Sequence, residues 1–588
     1  MTAVMEAREP SAKYLSTLQP PLVQQFDLLA TAPGGVAELR ELILTLAVQG
    51  KLVPQDPKEE PASELLRRIR EEKDRLISDG KIKRGKPLVD ISQEEQPFLL
   101  PRGWEWVRLN SLLQKIGAGS TPLGGREVYV QSGVKFLRSQ NVWNDGLRLD
   151  SVAFIKPATH AKMSGTVVLA NDLLFNITGA SIGRCAVVPS DFDEANVSQH
   201  VTIVRTVMPE LNEFLHKVLV SRHVQQTVMD VQVGVSREGL SIAKLGQFLI
   251  PLPPLAEQSR IVTRVEELMR LCDALEAKGQ LEAAQHAQLV QTLLGALTAS
   301  ASPEELADNW QRVATHFDRL LDRPEAVDAL EQTILQLAVR GLLVPQDPKD
   351  EPASELLKKI RTEKDRLIAE GKIKRDRPTA VTFEENHIPL PAGWERTRFG
   401  DYFFELCTGP FGAVVHKEDY IEGGVPLINP SHMIDGRISA DPSVSVSPEM
   451  AESLSAYRLS AGDIVLARRG EVGRYALVTE LEEGWLCGTG SFFVKLHAAC
   501  NRQFLGLVLE DPSLRKHLLG ESVGATMVNL NQRILLETAI AIPPHSEQAR
   551  IVARVESLRR LCTDLRQRLA VRQTTQAQLA EALIAEVA

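Results

Sequence analysis

Two stretches of the chain, residues 98–252 and 386–542, carry hydrogen-bonding side chains in short loops between β-type runs. In the first they are Ser120, Thr121, Arg138, Gln140, Asn141, Thr178, Ser181, Ser198, Gln199, His200, Ser236 and Arg237. In the second they are Thr408, Asn429, Ser431, Arg468, Arg469, Thr489, Ser491, Thr526 and Asn529. Such residues discriminate nucleic-acid base edges by presenting paired donors and acceptors. Arg184 and Arg474 sit at matched positions and fit a shared task, such as fixing a phosphate. Arg468 and Arg469 follow an apolar strand end, a pattern that favours contact with an anion. A bland role competes at each position, since a lone Ser, Thr or Asn in a turn more often serves the local backbone.

Reaction chemistry has less support. No GxxxxGK[ST] phosphate loop occurs, and Gly117–Gly125 (GAGSTPLGG) is not followed by lysine. There is no HExxH and no Cys/His cluster, so zinc is not expected. An adenine methyltransferase needs Asn/Asp-Pro-Pro-aromatic; Asn429-Pro430-Ser431-His432 fails at its last two positions. His200, with Gln199 and Asp193 nearby, is the best foothold for an unrecognised enzyme, and a satisfied structural histidine is the more ordinary reading.

Composition sets the frame. The chain has 588 residues, 44% hydrophobic and 24% charged, ordinary for folded domains in solution. No apolar run approaches the ~18 residues of a membrane span, and MTAVMEAREPSAKYL has no secretory apolar core. Six scattered cysteines without a CxxC pair fit a reducing cytoplasm. The net charge of −9 argues against simple electrostatic capture of a polyanion. Locally, Pro101–Leu249 holds 15 Lys/Arg against 12 Asp/Glu (+3), and Pro391–Ala541 holds 13 against 19 (−6).

The elements that must position these loops are written twice. Leu46–Lys83 and Leu337–Lys374 share 30 of 38 residues. PPLAEQSRIVTRVEELMRLCDALE (Pro253–Glu276) returns as PPHSEQARIVARVESLRRLCTDLR (Pro543–Arg566). One scaffold therefore carries two divergent inserts, both opening with GlyTrpGlu (Gly103–Glu105, Gly393–Glu395). Ile261, Val265, Leu268, Cys272 and Leu275 form an amphipathic stripe on a helix of 35–40 residues. Glu257 in its first turn suits the helix dipole, and Ser546 is a cap for its twin. A second helix follows Pro61, with Leu65, Leu66, Ile69, Leu76 and Ile77 on its apolar face and Glu64–Arg68 and Glu71–Arg75 as i,i+4 pairs.

The expected fold class is α+β: two mixed α/β domains joined by long antiparallel coiled-coil helices, with an internal pseudo-twofold repeat. The domains are an N-terminal extension (1–25), a helical region (26–97), the first insert (98–252), a central helical region (253–385), the second insert (386–542) and a terminal helix (543–588).

The insert-closing segments Ile250–Leu268 and Ile542–Leu558, the LAVQGKLVPQDPKEEPASELL and LAVRGLLVPQDPKDEPASELL blocks, and the GlyTrp insert starts together resemble the specificity subunit of type I restriction–modification enzymes. The resemblance runs from about Phe26 to the end. It implies that each insert is a target recognition domain reading half of an asymmetric, bipartite DNA site. The helices would set the gap between halves and dock two methyltransferase subunits, through Leu65, Ile69, Ile261, Val265, Leu268, Leu356, Ile551, Val555 and Leu558. S-adenosylmethionine, ATP and Mg would belong to methyltransferase and restriction subunits; this chain would bind no cofactor and catalyse nothing. It would act in a bacterial or archaeal cytoplasm. A nearly full copy of the helical block precedes the first insert, unlike many members, and could pair with the last helix. The alternative is a protein–protein scaffold whose inserts bind other ligands, favoured if the polar loop residues prove to be buried caps.

Overall fold

The computed structural model describes residues 29, 32–85, 88–233, 239–300, 302–373, 390–410, 414–520 and 530–587. The chain divides into two units, residues 1–281 with 573–588 and residues 282–572.

In the first unit, helix Gly35–Val48 leads to helix Ala62–Ser78, which buries Leu65, Leu66, Ile69 and Leu76. Its surface ion pairs differ from the expected ones. Arg67 bridges Glu64 and Glu71, Arg75 pairs with Glu72, and Arg68 reaches back to Glu60. Spacings of three and four are equally adjacent on a helix, so sequence does not choose between them. The second unit repeats the element as Ala353–Ala369, burying Leu356 and Ile360.

The first insert is built on two sheets. Leu113–Ala118, Val201–Thr206, Leu173–Asn176 and Cys185–Val187 form an antiparallel sheet in that spatial order. A five-stranded sheet contains Val134–Leu137 parallel to Ala195–Val197. The two-residue period of a strand buries both faces of the first sheet. Leu173 and Phe175 enter the core shared with the helices, and Leu174 enters the core between the sheets. The second insert repeats the antiparallel order with Glu405–Thr408, Ser491–Lys495, Ile464–Ala467 and Tyr475–Leu477. It repeats the parallel pair with Val425–Ile428 and Leu486–Cys487.

Each insert leaves and rejoins the scaffold through one antiparallel strand pair. Glu105–Arg108 pairs with Leu249–Leu252, and Glu395–Arg398 with Ala539–Ile542. Beside that pair the repeated motifs meet. Trp104 Nε1 donates to Glu257 at 3.0 Å, Gln55 Nε2 donates to the other oxygen at 3.2 Å, and Gln258 Nε2 donates to Pro253 O at 2.9 Å. The second copy matches it: Trp394 and Gln346 donate to Glu547 at 3.1 and 3.3 Å, and Gln548 to Pro543 O at 2.9 Å. Glu257 lies in the first turn of its helix as expected, and with only 1% exposure it is also a buried fastener. Helix His545–Val587 begins before Ser546, which therefore lies in its first turn rather than at the cap.

Burial raises the carboxyl pKa of both Glu257 and Glu547, outweighing the donors that favour the charged form. A folded-state value above the unfolded one adds stability below the ordinary glutamate range, about 4.3, and this is lost as pH rises through the raised value. In Glu547 both donors converge on Oε1, leaving Oε2 buried without a partner. Glu547→Gln keeps a carbonyl for both donors. It is expected to flatten the decline of the second unit's stability just above pH ~4.3, checked by denaturation of variant and parent across pH. Parallel curves for the two would refute this.

The long helices are Leu255–Ala299 (45 residues) and His545–Val587 (43 residues), longer than the periodicity predicted. Ile261, Val265, Leu268 and Cys272 share the first unit's core with Leu39, Leu42 and Ile43, and also with Ala580 and Ile584 from the end of the last helix. Val290, Leu294 and Leu297 share the second unit's core with Ile551, Val555 and Cys562. In each unit a helix start meets a helix end, as in an antiparallel pair. This corrects the assignment of these positions, Leu558 excepted, to partner docking. Leu65, Ile69, Ile261, Val265, Leu268, Leu356, Ile551 and Val555 are buried in the chain's own cores, and Leu558 packs half-buried against one. Among the described residues no helix is long and apolar enough to cross a membrane.

Candidate nucleic-acid interface

In the first insert, loops scattered between residues 119 and 200 converge at one end of the antiparallel sheet. Ser120 N donates to Val197 O and Gly119 N to Val201 O, which ties the 119–121 loop to two strand ends. A Cβ at Gly119 would lie 2.0 Å from Val197 O, so only glycine permits this approach. Thr121 Oγ1 donates to Gln199 Oε1 at 3.1 Å, and Thr178 Oγ1 is 2.6 Å from His200 Nδ1. Asn176 Nδ2 donates to Ser139 O and Ser181 Oγ, binding the 138–144 loop to the 177–184 loop.

Within this cluster Ser120, Thr121, Gln140, Gln199 and His200 are exposed, and Arg138, Thr178, Ser181 and Arg184 are half-buried. Asn141 and Ser198 are buried. Asn141 Oδ1 accepts from Arg138 N and its Nδ2 donates to Arg148 O, so the amide is consumed in shaping the loop and is corrected from reader to support. Ser198 is likewise covered, at 5% exposure. Asp193, once a foothold for enzymatic chemistry beside His200, instead pairs with Lys135. Among the described residues no group of His, Cys, Asp and Glu could hold a metal ion.

The second insert builds the same cluster from different side chains. Gly409 N donates to Ser491 O, Arg468 N to Gly490 O and Leu530 N to Arg468 O. Gln532 Nε2 donates to Thr408 Oγ1 at 2.8 Å. Ser431 and Arg469 are exposed; Thr408, Asn429, Arg468, Arg474 and Thr489 are half-buried. Arg468 lies 5.3 Å from the Phe492 ring centroid, and burial, helped by the charge of Arg469, lowers its pKa. Ser491 is fully buried with its hydroxyl on Ile428 O, which removes it from the readers. Ser236, Arg237, Thr526 and Asn529 lie outside the described residues.

Trp143 escaped the reading of the sequence. It is exposed beside Arg184 at the tip of a hairpin, where an aromatic residue in a β-type run ordinarily signals core. The Asp145-Gly146 turn two residues later was the available signal.

The profile described as "Type I restriction modification DNA specificity domain" matches residues 101–285 and 391–571. The chain is 36% identical to the type I restriction enzyme EcoAI specificity subunit of Escherichia coli over 575 residues, 93% of each chain. It is 35% identical to the EcoEI specificity subunit of the same organism over 570 residues, again 93% of each. Among solved structures it is similar to the HsdS subunit from Thermoanaerobacter tengcongensis, at 19% identity and a TM-score of 0.40, covering 84% of this chain and 98% of that one.

Proposed function

This chain belongs to the family of type I restriction–modification specificity subunits, and from that premise we propose that its two loop clusters read the two halves of a split DNA site. The observation that carries this reading is one loop cluster built twice on the same strand order with different exposed side chains. A shared frame with divergent donors and acceptors is what two different base sequences require. The chain itself is non-catalytic. S-adenosylmethionine, ATP and Mg are assigned to methyltransferase and restriction subunits, with one methyltransferase subunit docking on each repeat. The protein-binding scaffold is not favoured, since the relatives are named specificity subunits.

With every predicted docking position except Leu558 buried in the chain's own cores, docking falls to exposed apolar surface. In the second unit a groove lined by Leu306, Trp310, Phe317, Leu561 and Leu565 supplies it, with Trp310 and Leu561 42% and 61% exposed. An apolar helix face of a partner would match it.

Genome-wide adenine methylation in cells carrying this chain with a methyltransferase subunit, against cells lacking the chain, tests the reading. The expected result is a motif of two defined halves around an undefined spacer, absent without the chain. Active methyltransferase with no motif that depends on this chain would refute it.

A further inference from the structure

The matched arginines occupy equivalent loops but unlike surroundings. The Arg184 guanidinium lies 3.7 Å from the centroid of the Trp143 ring. Trp143 is fixed from behind: its Nε1 donates to Gln140 O at 2.9 Å, and the adjacent Asn144 accepts from Cys185 N at 3.1 Å. It is still 38% exposed, in the hairpin of Val142–Trp143 with Gly146–Leu147. Arg148 also approaches the ring but is paired with Asp145. Among the described residues no carboxylate forms an ion pair with Arg184.

In the second insert the hairpin is Met433–Ile434 with Arg437–Ile438, and Ile434 offers no aromatic face. Arg474 Nε donates instead to Glu471 at 2.8 Å. Glu471 stands where the first insert has Ser181. The local charge balances, +3 and −6, lean the same way.

We propose that Trp143 holds Arg184 as a DNA-phosphate anchor, and that Glu471 silences the equivalent anchor in the second insert. The proposal rests on the reading of the inserts as DNA-binding. A guanidinium stacked on an indole keeps its in-plane N–H donors available for an oxyanion, and its stacked geometry reduces the rotamer freedom lost on binding. A guanidinium already paired with a carboxylate must exchange one anion for another and releases little charge to the DNA. Trp143 is on this account a positioning residue.

The test measures affinity of the chain, assembled with its methyltransferase subunits, for its target duplex over a range of salt. Each phosphate contact contributes about 0.9 to the slope of log affinity against log salt. Arg184→Ala is expected to lower the slope by about 0.9, and to weaken binding equally across sequence variants of the duplex. Trp143→Ala moves in the same direction and Trp143→Phe restores the parent slope. Arg474→Ala leaves the slope unchanged, and Glu471→Gln raises it by about 0.9. The proposal is overturned if Arg184→Ala keeps the parent slope or instead relaxes preference at one base pair. It is also overturned if Arg474→Ala lowers the slope as much as Arg184→Ala. The Arg184→Ala, Glu471→Gln and Arg474→Ala arms decide the anchor and its silencing even if the Trp143 variants fail to fold, and a folded Trp143→Ala that keeps the parent slope overturns the positioning role. A parent complex without any sequence preference would remove the DNA-reading function itself, a result distinct from all of these.

Discussion

Trp104→Ala is expected to destabilise the first unit by about 3–5 kcal/mol, and Trp394→Ala to cost the second unit less, because Glu547 Oε1 keeps Gln346 as a donor. Two costs add. A large side chain only 6% exposed leaves a cavity, and the buried Glu257 carboxylate loses its donor at 3.0 Å. An acceptor stranded away from water costs about 1–3 kcal/mol on its own. Trp104→Phe separates the two, since it keeps most of the apolar volume and discards only the N–H; it should recover roughly half of the loss. Because the chain has two units, a single melting temperature would mix their transitions. Hydrogen exchange resolved by segment is the fitting measurement. The Trp104 variant should lose protection along Glu105–Arg108 and Leu249–Leu252, leaving Glu395–Arg398 and Ala539–Ile542 unchanged. Uniform loss in both units, or a cost below about 1 kcal/mol, would show that the tryptophan is not a fastener.

The second large effect concerns specificity. Exchanging residues 105–252 for the corresponding insert of another family member should change one half of the methylated sequence and leave the other half as it was. The structure recommends these limits because Trp104 and Glu257 then stay together on the scaffold side. Phe214, which meets Trp104 edge-on at 6.2 Å between ring centroids, and Asn110 O, which accepts from Lys73 Nζ at 2.7 Å, are among the contacts across the junction that the donor insert must reproduce. Each mismatched base pair costs about 1–3 kcal/mol. Two altered pairs therefore reduce methylation of the original site by roughly 30-fold to more than 10⁴-fold. Methylation sequencing of cells carrying the chimaera reads this directly. A motif changed in both halves would mean that the inserts do not read independently.

The parts legible from sequence were those whose signal is local. The apolar stripe at Ile261, Val265, Leu268 and Cys272 marks a helix because its period is written in consecutive turns. The repeat itself exposed the inserts by contrast. The clasp was invisible because its partners stand 153 positions apart. Judged alone, Glu257 in a first turn is a dipole partner; only the folded chain places Trp104 and Gln55 against it. The polar loops were found as a set, yet exposure within the set was not legible. Gln140 and Asn141 are neighbours of similar chemistry, and the turn exposes the first while consuming the second. The docking positions failed for a related reason. An apolar stripe reports that a face is covered, and it does not say whether the cover is the same chain or another.

The paired strands at each junction have a consequence for chain entropy. With Glu105 opposite Leu252 and Glu395 opposite Ile542, everything between is, to the scaffold, a closed loop with its ends already joined. The cost of closing a loop grows only with the logarithm of its length, about 0.6 kcal/mol for each doubling. Segments that lengthen or shorten beyond the strand pair therefore cost the scaffold little in closure entropy, and their sequences can diverge as long as the positions that share the helical core, Leu173, Phe175 and Phe214 among them, stay apolar.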